Sequence, residues 1–186
     1  MHIEDYVVKP FRWYFPKPMC DIFKKAAQKW SQLNDFEARE ICLRPWNGPV
    51  IFDIANQALK MEKAYFKSAI GDAEGNAYRH CFMVAVMAQT MARKEIASFL
   101  NGREMGKKIA PEYGEDVDSR SASREMDVHN NNVGYDVGLL LKEGKLYSLE
   151  EVDRRCIDKL NAGELKVIKP HFKLPIKFDK RHVLNL

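Results

Sequence analysis

Several things are scarce in this chain, and each scarcity removes a class of protein. Its four cysteines, Cys20, Cys42, Cys81 and Cys156, stand singly with no C-x-x-C pair. That excludes a disulfide scaffold and a zinc knuckle, and leaves small buried thiols, since three of them lie among apolar residues in helical patterns. Proline and glycine are sparse, and no repeat or low-complexity tract occurs. No apolar run approaches the ~20 residues of a membrane span, and the N-terminus lacks the basic-then-apolar order of a signal peptide. A Walker loop, a nucleophilic serine elbow and a dinucleotide glycine pattern are all missing. The net charge of +4 is mild, so it permits a polyanionic partner without requiring one.

What the chain does contain is helix. With 186 residues and 46% hydrophobic content it can bury a core. The expectation is an all-α, single-domain bundle of about six helices, with an N-terminal arm over 1–17, a helical core over 18–163 and a basic arm over 164–186. The first arm is predicted extended, because its prolines and aromatics suit a covering strip. Helices are expected over about 50–70, from about Glu74 through the late 80s, over about 93–105 and from Ser121 or Ser123 to Leu141. Asn47-Gly48-Pro49 reads as a turn and residues 107–122 as a long loop. Ser148 through Glu151 is a capping-box start for a last helix ending near Gly163. The basic arm alternates lysines with apolar residues, and reads as a solvated arm rather than a nucleic-acid contact.

Two stretches stand out. Asn76, Arg79 and His80 follow i, i+3, i+4 at the start of an otherwise apolar helix, so they share one face of one turn. A buried helix gathers such groups only where partners await them, because each costs free energy to desolvate alone. The partners on offer lie in Asp127-Val128-His129-Asn130-Asn131. Asp127, Asn131, Gly134 and Gly138 form one helical stripe, with the glycines placed for close backbone approach. His129 falls off that stripe. His2, His171 and His182 read as surface histidines.

N-A-Y-R-H over 76–80 and M-D-V-H-N-N-N-V-G over 126–134 resemble an uncharacterised bacterial domain family. It is found at the C-terminal ends of polymorphic toxins and among secretion-system effectors. That family's pattern places a histidine–glutamate pair between the two motifs. Here only Glu104 answers it, with Arg103 where the histidine would be. The resemblance covers about Gly75 to Leu141. It implies a toxin or effector, cytoplasmic in the producer and exported without a signal peptide, with an immunity protein and a secretion-system carrier as partners.

The residue types suit hydrolysis by general acid–base catalysis. His80 and His129 exchange protons near neutral pH, and Glu104 and Asp127 act as bases or orient an imidazole. Arg79, Asn76, Asn130 and Asn131 are the candidates for holding substrate. No cofactor is called for. A divalent metal at His80, Glu104 and Asp127 is signalled only weakly by one imidazole and two distant carboxylates. The expected substrate is an envelope polymer, peptidoglycan ahead of nucleic acid. The alternatives are a metal-independent RNase using His80 and His129, and a non-catalytic binding or adaptor module whose polar cluster only specifies helix packing.

Overall fold

A computed structural model describes residues 47–67, 73–97, 99–100, 117–146 and 148–184 of the chain. The described residues are helical or irregular, with no strand among them, so the chain is all-α as its periodicity predicts. The N-terminal arm over 1–17, the first part of the expected helical core, 18–46, and Glu104 lie outside them. Contacts divide the chain into two compact units, Met1–Phe52 with Ala97–Tyr113, and Asp53–Ile96 with Gly114–Leu186. Of the first unit the described residues, 47–52, 97 and 99–100, are helical. The helices and the site lie in the second, apart from the residues up to Phe52 that begin the first helix.

Helix α1 spans Asn47–Phe66. The turn expected at Asn47-Gly48-Pro49 is instead its first turn. Pro49 fits there because the first N–H groups of a helix have no intrahelical acceptor to lose. Ile54, Ala58, Met61 and Phe66 are buried along its inner stripe. Lys67, at φ 58°, turns the chain out while its N–H bonds the Lys63 carbonyl at 2.9 Å.

Helix α2, Glu74–Thr90, is the centre of the unit: Arg79 is the one residue from Glu74 to Ala88 that is not buried. Each large apolar side chain it removes from water contributes ~1.5–3 kcal/mol. Its rings join a wider aromatic cluster: Tyr78 stacks on Phe82 at 5.8 Å and meets Tyr65 edge-on at 5.6 Å.

Helix α3 runs Val117–Glu143, starting earlier than the expected loop allowed. No glycine or proline follows Gly114 until Gly134, so nothing in residues 117–122 stops the helix from extending back. It packs chiefly on α2. Helix α4, Leu149–Asn161, begins as expected: Ser148 is its N-cap and accepts from the Glu151 N–H at 3.1 Å. Its buried stripe is Val152, Cys156, Ile157 and Leu160, and Gly163 at φ 70° follows its end. Cys81 and Cys156 meet across α2 and α4, Sγ to Sγ at 3.4 Å, both buried and unbridged, and burial pushes the Cys156 thiol up from its ordinary range. Cys20 and Cys42 lie outside the described residues.

The segment after α4 is neither helix nor strand until a single turn, α5, at Arg181–Leu184. It lies against the helices rather than free of them. Asn161 holds both polar groups of the Ile176 backbone, Phe172 packs edge-on against Phe66 at 5.1 Å, and the Asp179 N–H reaches Tyr65 Oη at 3.2 Å.

The glycine stripe of α3 sets the α2–α3 separation. A Cβ at Gly134 would stand 2.3 Å from the Cys81 carbonyl oxygen, and one at Gly138 2.4 Å from that of Ala85. Both obstacles are backbone, so no rotamer change relieves them. Gly134→Leu is therefore expected to force the helices apart and cost ~1–3 kcal/mol, read as a fall in Tm. An unchanged Tm would contradict this packing.

Candidate functional site

The first two turns of α2 and the middle of α3 face each other, and the polar groups meet there as the two motifs predict. His80 Nε2 lies 3.1 Å from Asp127 Oδ1, and His80 Nδ1 lies 3.0 Å from Asn131 Oδ1. Asn76 donates to the same Asp127 oxygen at 3.5 Å. Arg79, at the edge of the cluster, donates to Asn76 Oδ1 and, at 2.8 Å, to Glu62 Oε2. A continuous polar chain results: Glu62, Arg79, Asn76, Asp127, His80, Asn131. His80 is 3% exposed and Asp127 2%, so their attraction acts in a dry interface where each needs the other.

The ring of His80 has an oxygen opposite each nitrogen. An imidazolium satisfies both by donating twice. A neutral ring donates to Asp127 and accepts from Asn131 once that amide is turned to present its NH2. Asp127 thus fixes the ring's orientation in either state and stabilises its charged form, which is what an acid–base histidine requires of a carboxylate.

Not every predicted residue joins this cluster. Residue 129 sits about 200° around the helix from 127. His129 is exposed, and its Nε2 bonds the Glu164 carbonyl at 2.9 Å. Asn130 is buried but turned to the Lys166 backbone, donating to its carbonyl at 3.0 Å and accepting from its N–H at 2.8 Å. Both residues fasten the segment that follows α4. Of the expected surface histidines, His171 is exposed, whereas His182 is half-buried with its ring 4.4 Å from that of Tyr65. Among the described residues no group of three or more His, Cys, Asp or Glu side chains is arranged to hold a metal.

Sequence reasoning passed over two buried acids. Glu62, fully buried, carries Arg79's second contact, and its Oε1 has no hydrogen-bond partner. Burial raises its carboxyl above the usual carboxylate range despite the Arg79 guanidinium beside it. Asp153, also fully buried, accepts from Tyr78 Oη and Tyr65 Oη, each at 2.7 Å. Burial pushes its carboxyl up to about 6, with the two phenols opposing. The signal was present in both cases: each acid sits on its helix's apolar stripe, beside Met61 and Val152.

The region that carries these groups matches a known family, described as a domain of unknown function (DUF6973), over residues 39–164. The chain belongs to that family. The matched span contains α1 through α4 and both motifs, and ends where the basic arm begins. No curated protein matches the chain, and no solved structure does.

Asp153 generates a pH prediction. Its carboxyl binds a proton more tightly in the folded chain, near 6, than at the ordinary value of 3.8. Its contribution to stability is therefore best below the lower value and declines as pH rises through the interval, by about 3 kcal/mol in all. The Tm of Asp153→Asn lacks this term, so wild type should gain on the variant as pH falls from about 6 to about 4. A difference constant across that range would show that Asp153 ionises as freely folded as unfolded.

Proposed function

We propose that the His80–Asp127 pair is the general acid–base of a hydrolase, of the kind deployed as an antibacterial toxin or secreted effector. The supporting observation is the geometry of the imidazole, clamped by a carboxylate at one nitrogen and an amide at the other, with a guanidinium in the same polar chain. Asp127 holds the ring and stabilises the positive charge that the ring acquires when it accepts a proton. Asn131 keeps the second nitrogen oriented, and Arg79, the most accessible member, is positioned for an anionic group or a developing oxyanion. An envelope polymer, peptidoglycan foremost, is the proposed substrate, with a secretion-system carrier for export and an immunity protein protecting the producer.

One observation favours a second reading. Both ring nitrogens of His80 already face protein oxygens, so a substrate proton reaches Nδ1 only by displacing the Asn131 amide. On that reading the polar chain specifies how α2 and α3 pack, and the protein is a binding or adaptor module. The RNase reading loses support, because His129 is directed at the Glu164 carbonyl and not at the cluster.

One variant separates the two. His80→Gln keeps approximate size and one hydrogen bond to Asp127 but cannot titrate. The hydrolase reading predicts that toxicity on export to the envelope falls by roughly two to four orders of magnitude with little change in Tm. The packing reading predicts a stability loss of ~1–3 kcal/mol, with any activity surviving in proportion to the folded fraction. Full toxicity with unchanged Tm would overturn both.

A further inference from the structure

The mild overall charge conceals an asymmetry. Residues 165–186 carry Lys166, Lys169, Lys173, Lys177, Lys180 and Arg181 against Asp179 alone, a formal +5, so residues 1–164 carry −1 of the net +4. All six cationic side chains belong to exposed residues. Lys166 pairs with Glu125 and Arg181 with Asp179. Among the described residues, the ammonium groups of Lys173, Lys177 and Lys180 have no carboxylate partner.

The backbone that carries them is already positioned. Asn130 fixes Lys166, Glu74 accepts from the His171 N–H at 3.0 Å, Asn161 fixes Ile176, and Tyr65 accepts from Asp179. Phe172, Ile176 and Phe178 are half-buried while the lysines between them face water. A partner therefore meets a preformed cationic ridge without ordering a chain first.

We propose that this ridge docks on the surface of an anionic phospholipid bilayer. Two observations favour lipid over nucleic acid. The large apolar side chains left exposed among the lysines are Leu174, 38% exposed, and Leu184, 75% exposed, which suit the headgroup–acyl boundary. The phenyl rings of the segment are instead turned in, Phe172 onto Phe66, leaving the His171 imidazole as its one exposed ring on which a base could stack. An open cavity of about 530 Å³, bordered by Tyr65, Lys177, Phe178, Arg181, His182 and the Asp179 carboxylate that Arg181 pairs, lies in the same ridge and has room for a headgroup. The docking rests on this surface alone, independent of the role of His80.

The test is co-sedimentation of the full chain with phosphatidylcholine vesicles, with and without ~30% phosphatidylglycerol. Binding is expected to the anionic vesicles only, and to vanish near 1 M salt, where charges are screened beyond ~3 Å. Joint replacement Lys173→Gln, Lys177→Gln and Lys180→Gln should weaken partitioning about a hundredfold with Tm unchanged. Three results would each overturn the proposal: no binding to anionic vesicles at low salt, equal binding by the triple variant, or tighter binding to a single-stranded oligonucleotide than to the vesicles.

Discussion

The close approach of α2 and α3 is the constraint on which the rest of this unit depends. Gly134 and Gly138 let the two helices meet backbone to backbone, with the Cys81 and Ala85 carbonyls occupying space that any side chain would claim. That contact leaves no room for water between the helices, so any polar group on the facing surfaces must be satisfied by the protein itself. The chain from Glu62 to Asn131 is the consequence. Asn76 joins Arg79 to Asp127, and His80 joins Asp127 to Asn131, so each buried group answers a neighbour's need. One orphaned carboxylate oxygen remains, Glu62 Oε1, and burial holds that carboxyl's proton affinity up against the Arg79 guanidinium beside it.

Much of this was legible in the residues. Local information decides a helix, and the spacing of Asn76, Arg79 and His80, the stripe of Asp127, Asn131, Gly134 and Gly138, and the Ser148 cap are all local. His129, expected among the acid–base residues although it falls off that stripe, instead bonds the Glu164 carbonyl and does not join His80. What was not legible depends on distant backbone. Asn130 reads as one more amide of the motif, yet its partner is the main chain of Lys166, which no side-chain pattern announces. Glu62 and Asp153 lie in helices read mainly for their apolar stripes, and their partners come from elements far along the chain. The start of α1 was misplaced because Asn47-Gly48-Pro49 has the composition of a turn, while a helix's first turn tolerates the same residues.

The same structure joins two regions of opposite character. The α2–α3 interface holds a dry chain of acids, amides and one imidazole, while the segment after the helices turns its cations outward. Tyr65 stands where these meet, donating to Asp153 inside and accepting from Asp179 of the basic segment. Family membership covers the helical part and stops near its end, so the basic segment lies beyond the matched span.

The reading of the site rests on His80 and Asp127 forming one interdependent unit in the α2–α3 interface. A double-mutant cycle on unfolding free energy with His80→Ala, Asp127→Ala and the combined variant, in which neither replacement keeps the contact, measures that interdependence directly. The account predicts a coupling energy of ~1–3 kcal/mol, with the double variant less destabilised than the two single losses added together. Strictly additive losses would contradict it, and would mean that the two side chains are neighbours without being partners.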